Sequence, residues 1–259
     1  MSNYKAKTPD ASGHVSYTDE ENETWQILME RQIKVVEHRA CKEFIAGLQK
    51  LALPHNKVPQ CYEVTQKLQE ATGWSVKPVS ALISLKEFFN LLANKQFPAA
   101  TFIRTREELD YLKEPDIFHE FFGHCPLLTN PAYADFVEWY GKLALQTNEK
   151  AQSLLGRIFW FTIEFGLVRS SNEQLRIYGG GILSSLEETV YALESNEPQR
   201  EAFDIGKVLE TPYRYDIIQN RYFVLNSLDD LYKIQQLDIV GLANAAANSN
   251  QQGNDFNIC

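Results

Sequence analysis

The chain has little cysteine and no paired arrangement of it. Cys41, Cys61, Cys125 and Cys259 are scattered over 259 residues without a C-x-x-C pair. That spacing speaks against a disulfide framework and fits free thiols in a reducing compartment. Long apolar runs are absent too: no window approaches the roughly 18 residues that a membrane span needs. Met1 to Asp10 shows no apolar stretch resembling a signal peptide, so a cytoplasmic location is expected. Basic excess is also missing. Lys and Arg number 25 against 34 Asp and Glu, a net charge of −9, which argues against nucleic acid or an anionic membrane as partner. No G-x-G-x-x-G or P-loop spacing occurs, and the lone turn Gly179-Gly180-Gly181 is weak evidence for a nucleotide. Repeats and interior linkers are lacking as well.

What remains is the material of a soluble globular core, with 44% hydrophobic and 23% charged residues. Thr18-x-x-Glu21 has the form of a capping box. Behind it Trp25, Leu28, Met29, Ile33, Val36, Ala40, Phe44, Ile45 and Leu48 recur at three- and four-residue steps, predicting one long amphipathic helix. Pro59 reads as the first position of a shorter helix that stops before Gly73, and Ser84-x-x-Glu87 as the start of another. Residues 97–103 read as a short strand. Pro115 is expected to open a helix through the histidines, and Asn130-Pro131 caps and starts the next. Residues 154–168, too long for a typical strand, predict a buried helix. Ser184 or Ser185 caps a helix after the glycine turn, Tyr222–Leu225 predict a strand, and Ser227-x-x-Asp230 starts a last helix. The expectation is a mostly α fold, one helical domain with a few short β-strands. Residues 1–17 form a polar arm, 18–240 the folded domain, and 241–259 a polar tail expected to be disordered.

Glu164 is the residue that points to chemistry. It lies within Ile158–Val168, a run apolar on nearly every side, and a carboxylate there is costly to bury unless paired or bound to a metal. His119 and His124 supply two further ligands. Two histidines and a carboxylate form the ligand set of non-haem iron(II) oxygenases, which keeps positions open for oxygen and substrate. His119-Glu120-Phe121-Phe122-Gly123-His124 misses the zinc-protease pattern H-E-x-x-H by one residue. On an unbroken α-helix, residues five apart point about 140° away from each other. Chelation by both histidines therefore calls for the helix to end or turn between them, and Gly123 is the residue that would permit it. Without Glu164, two histidines on a core helix would be the plainer reading.

The blocks Pro115–Pro126, Trp160–Leu167 and Tyr178–Ser185, in this order, resemble the aromatic amino acid hydroxylases, the tetrahydropterin-dependent iron enzymes. The resemblance covers roughly residues 20 to 235 and implies a mainly helical catalytic domain. It implies iron(II) on His119, His124 and Glu164, and Arg104 clamping the substrate carboxylate through two parallel hydrogen bonds. Ser184, Trp160 and Pro115 would line the substrate pocket. Phe88 would stack on the pterin, Glu120 would orient it, and Ile83 and Phe159 would complete the cofactor side. Animal members carry a tyrosine where this chain has Phe159 and a histidine where it has Pro98, so neither of those polar contacts is carried over.

The chain shows neither the regulatory domain nor the oligomerisation helix of the animal enzymes, and so resembles the short bacterial members that act on phenylalanine. The implied reaction hydroxylates L-phenylalanine to L-tyrosine with dioxygen, in a monomer or small homo-oligomer. Tyrosine and tryptophan hydroxylases share these blocks. From another class, a zinc-dependent hydrolase could use the same three ligands with Glu120 as base, although the spacing at Gly123 speaks against it.

Overall fold

Helix formation begins where Thr18 places it. The Thr18 hydroxyl accepts from Glu21 N while the Glu21 carboxylate accepts from Thr18 N, and α1 (Asp19–Val36) follows. Asp19, Glu20 and Glu21 complement the positive end of the helix, and Trp25, Leu28, Met29 and Val36 face the core. The structure is a computed structural model, and it describes residues 4–80, 83–110, 112 and 114–248.

The long helix expected from Trp25 to Leu48 is two helices, α1 and α2 (Lys42–Leu51). Between them the backbone leaves the helix to bond a strand. Cys41 N donates to Ile177 O and Ile177 N donates to Arg39 O, each at 2.9 Å. Next come α3 (Cys61–Thr72), β1 (Ser75–Val79), α4 (Leu85–Ala93) and β2 (Gln96–Ala100). The N-cap of α3 is Gln60, one residue past the expected Pro59, and Gly73 closes the helix at a φ of +79° as expected. Ser84 caps α4 by accepting from Glu87 N. Strand β2 is shorter than the expected 97–103 and pairs in parallel with β1.

Beyond the histidine segment lie α5 (Cys125–Leu128), α6 (Pro131–Leu145) and α7 (Glu149–Phe159). The helix expected over 154–168 ends earlier than predicted, because β3 (Leu167–Arg169) already pairs with β4 (Leu175–Ile177). After α8 (Gly180–Leu183), Ser185 caps α9 (Leu186–Glu194). Then come β5 (Gln199–Ala202), α10 (Ile205–Glu210), β6 (Arg221–Leu225) and α11 (Asp230–Ile234). The four strands run β4-β3-β6-β5, antiparallel at β3/β4 and parallel elsewhere. Around them the helices share a continuous apolar core.

A last helix, α12 (Ile239–Asn248), occupies the first part of the expected tail, with Ile239 and Ala243 buried in that core. Residues 249–259 lie outside the described residues. The three described cysteines are free and buried. No helix among the described residues is long and apolar enough to cross a membrane.

Helices α4 and α6 meet at a glycine. A Cβ on Gly141 would lie 2.5 Å from Ala93 N and 2.8 Å from Leu92 Cβ, so backbone as well as side chain would have to move. Gly141→Ala is expected to cost about 1–3 kcal/mol by overpacking. A thermal melt should show a Tm lower by roughly 2–4 °C per kcal/mol. An unchanged melt would show that the two helices have room to separate.

Candidate metal centre and substrate cavity

Both segments that carry the candidate ligands widen from α- to π-helix. Ile117 and Phe118 are α-helical, and His119–His124 form a π segment in which Cys125 N donates to Glu120 O. Glu164 ends a second one, Trp160–Glu164, where Phe165 N donates to Trp160 O at 2.8 Å. With i→i+5 bonding, residues five apart sit about one turn apart on one side of the helix. His119 and His124 therefore point the same way without any break.

This corrects the expectation that the helix turns at Gly123. The positive-φ glycines among the described residues are Gly13 and Gly73. Gly123 serves close approach instead, since a Cβ there would lie 2.6 Å from Gly180 O. Nor does Pro115 open the helix. Asp116 caps it, its carboxylate accepting from His119 N at 3.0 Å.

The three ligand atoms converge. His119 Nε2 and His124 Nε2 are 2.9 Å apart. Glu164 places Oε1 3.2 Å from His124 Nε2 and Oε2 3.7 Å from His119 Nε2. Donors at right angles around an ion, with bonds of about 2.1 Å, stand about 3 Å apart, so this triangle fits one face of a metal's coordination sphere. Glu120 also offers an oxygen, and its ligand atom and those of the two histidines lie within 4.8 Å of one another. Glu164 is the better third ligand, because its carboxylate reaches both imidazoles and lines the cavity beside His119, where Glu120 does not.

The glycine turn closes over this set. A Cβ on Gly180 would lie 2.4 Å from His124 Nδ1, and one on Gly181 2.9 Å from Glu164 Oε2.

Hydrogen bonds fix the state of the donors. The Ser184 hydroxyl donates to Gly181 O at 3.3 Å, so it accepts from His119 Nδ1 at 2.9 Å. The imidazole proton is then on Nδ1, and the lone pair of Nε2 faces Glu164 and His124. Burial pushes the His119 imidazole down to about 4 against the pull of Glu164, which keeps it neutral and able to ligate at pH 7. Burial alone would raise the Glu164 carboxyl. The two histidines and the Gly181 amide outweigh it and hold the group below the ordinary carboxylate range. A neutral imidazole lone pair against a buried carboxylate is an electron-rich arrangement that a divalent cation satisfies, so the residues fit iron(II).

Arg104 faces the same cavity, a space of about 230 Å³ lined also by Pro115, His119, Trp160, Glu164, Phe165, Ser184 and Tyr213. It is buried against Asp116. Nε donates to Asp116 Oδ2 at 2.9 Å and Nη2 to Oδ1 at 3.0 Å, while Arg104 N also donates to Oδ2. Burial opposes both charges, yet each partner holds the other ionised: Arg104 lies above its ordinary value and Asp116 below. Nη1 keeps its donors clear of Asp116, so the guanidinium can still meet a second carboxylate from the cavity.

All four residues expected on the substrate side, Arg104, Ser184, Trp160 and Pro115, line this cavity. None of the four expected on the pterin side does. Phe88 and Phe159 meet edge to face at 5.3 Å, and both are buried, as is Glu120. Ile83 packs against the core just before α4, next to residues 81 and 82, which lie outside the described residues.

Sequence reasoning missed Asp116, although an aspartate three residues before His119 is a readable N-cap signal. It also missed Tyr213, which stacks on Trp160 at 4.4 Å, and Glu188, which lines the cavity. Tyr213 comes from a segment far along the chain with no motif of its own, while Glu188 was legible only as a first-turn acid of the helix after Ser185.

Comparison with known proteins accords with this geometry. The family model of the biopterin-dependent aromatic amino acid hydroxylases matches residues 1–238. A phenylalanine-4-hydroxylase of Pseudomonas aeruginosa is 53% identical over 243 residues, 94% of this chain and 92% of that protein. One from Vibrio cholerae is 50% identical over 93% of this chain and 83% of its own length. Among solved structures, the cold-active phenylalanine hydroxylase of Colwellia psychrerythraea superposes with a TM-score of 0.91 at 49% identity, covering 95% of each chain. The Chromobacterium violaceum enzyme, in a structure with bound oxidised Fe(III), gives 0.89 at 39% identity over 96% of this chain and 91% of that one. The matches and the fold agree, and the chain belongs to the biopterin-dependent aromatic amino acid hydroxylases.

Proposed function

We propose that His119, His124 and Glu164 hold iron(II) and that the cavity beside them takes L-phenylalanine, so that the chain is a phenylalanine 4-monooxygenase yielding L-tyrosine. The observation that carries this reading is the convergence of two imidazole nitrogens and a buried carboxylate beside a cavity that His119, Glu164 and a buried arginine line. Iron(II) together with the tetrahydropterin of the family supplies the activation of dioxygen, and no hydrolytic reading is needed.

The chain's own residues orient and shield. Arg104, held in plane by Asp116, presents Nη1 to the substrate carboxylate, while Asp110, Glu114, Glu187 and Glu188 give the same cavity a negative field suited to the ammonium group. Pro115, Trp160, Phe165 and Tyr213 form apolar walls for the ring and exclude water from it. Ser184 keeps the His119 proton on Nδ1. For the pterin we propose Phe88 as the stacking ring, Glu120 as the orienting acid, and Ile83 and Phe159 as its apolar neighbours. The enzyme is proposed to work in the cytoplasm, as a monomer or small homo-oligomer.

The direct test is product analysis with iron(II), a tetrahydropterin and each aromatic amino acid in turn. A cavity with no dedicated partner for a ring hydroxyl gains nothing from tyrosine and leaves that hydroxyl unpaired, at about 1–3 kcal/mol. Competition should therefore favour phenylalanine over tyrosine by at least about tenfold. Equal efficiency on tyrosine or tryptophan would overturn the substrate while leaving the iron site standing. Glu164→Ala should lose stoichiometric iron in elemental analysis and all tyrosine formation, yet keep its circular dichroism. Full activity in that protein would remove Glu164 from the ligand set.

Asp116→Asn leaves Arg104 buried without its counter-charge, an expected loss of about 3–5 kcal/mol at pH 7. Because folding depresses the Asp116 carboxyl below its ordinary 3.8, its contribution is present above that value and fades as pH falls through the depressed one. Urea melts of wild type and variant should therefore differ most near neutrality and converge below pH 3.8. A gap that stays constant with pH would assign the loss to packing rather than charge.

A further inference from the structure

Gln219 lies behind the cavity rather than in its lining, and it is nearly buried. Its side chain is fully engaged. Oε1 accepts from the Trp160 indole Nε1 at 3.0 Å, and Nε2 donates to Arg214 O at 2.7 Å and to Ile217 O at 2.9 Å. The orientation of the amide is set by chemistry: an indole N–H only donates and a backbone carbonyl only accepts, so the flipped form would lose all three bonds. Its backbone N donates to Glu188 Oε1 at 3.0 Å, and that carboxylate also accepts from the Tyr222 hydroxyl at 2.5 Å. The residue is thereby fixed from below by α9 and β6.

Trp160, Ile217 and Glu188 among the partners of Gln219 line the cavity. Trp160 is one wall. The segment 212–218 supplies Tyr213, Tyr215, Ile217 and Ile218 to the same space and has no helix or strand of its own. Tyr215 is 65% exposed and Ile217 45%, so the segment rests on few internal contacts. Tyr213 stacks on Trp160, and Gln219 is the group that bonds to the wall and the rim together.

We propose that Gln219 is a positioning residue that sets the affinity for the amino-acid substrate by tying Trp160 and the segment 212–218 into one rim around the cavity. This rests on the reading that the cavity takes phenylalanine. Gln219→Ala removes both ties. Gln219→Glu is the size-matched variant, which keeps an acceptor for the indole but turns an oxygen toward two carbonyls.

The experiment pairs steady-state kinetics with limited trypsin digestion of the iron-loaded enzyme, the cut after exposed Arg214 being identified by mass spectrometry. The expected result is a KM for phenylalanine raised about tenfold in both Gln219 variants, with the pterin KM and kcat changed less than about threefold. The cut after Arg214 should be faster in both, and phenylalanine should slow it in wild type but not in the variants. A folded Gln219 variant with wild-type phenylalanine KM and wild-type digestion overturns the proposal, as do equal rises in both KM values with a lowered melt, which mark a structural role. Should Gln219→Ala not fold, Gln219→Glu decides by the same readings. If phenylalanine fails to protect wild type, the cavity assignment itself falls, and the role of Gln219 falls with it.

Discussion

Everything at the site depends on two helical segments wound one residue looser than their neighbours. An α-helix would send His119 and His124 to opposite sides, whereas the π segment brings their Nε2 atoms to 2.9 Å. The second π segment delivers Glu164 to the same point from the opposite strand of chain. Such turns bond less well than the α form, so they persist only where packing on every side holds them. Here the packing is backbone against backbone: the approach of Gly123 to Gly180 leaves no space for a Cβ.

From the candidate metal ligand His119 a chain of hydrogen bonds runs to Arg104. Ser184 orients His119, the amide of His119 is capped by Asp116, and Asp116 takes two side-chain bonds from Arg104. Asp116 therefore links the histidine segment to Arg104. In a dry interior such a relay is stiff, since each buried polar group has much to lose by breaking its bond. The candidate metal ligands and the Arg104 guanidinium are thus held at a fixed separation, as positioned chemistry at one carbon would require.

The other wall of the cavity is built differently. Trp160 continues directly from α7 into the second π segment, so this cavity-lining residue is tied to the segment that ends in Glu164. Its outer contacts are an aromatic stack with Tyr213 and one hydrogen bond to Gln219. The cavity thus has one side fixed by charge and another by stacking, and the more exposed part of its rim lies on the second.

Much of this was legible locally. Capping signals at Thr18, Ser84, Asn130 and Ser185 are side chains bonding backbone three residues away, so the sequence carries the whole interaction. Glu164 stood out because its apolar neighbours are adjacent in the chain. What the sequence could not reveal depends on partners distant along it. The break between α1 and α2 exists because Arg39 and Cys41 bond Ile177, and the periodicity of residues 25–48 says nothing of that strand. The continuation of helix to Asn248 depends on a core place for Ala243 that composition hides. Spacing alone suggested a helix end at Gly123, because five residues fit an α-helix only with a break. Residue types and order by themselves determined the family and marked His119, His124, Glu164 and Arg104 as candidates. The π winding, the role of Asp116 and the shape of the cavity were decided by tertiary packing, since each requires groups from separate segments to meet before its local geometry becomes stable.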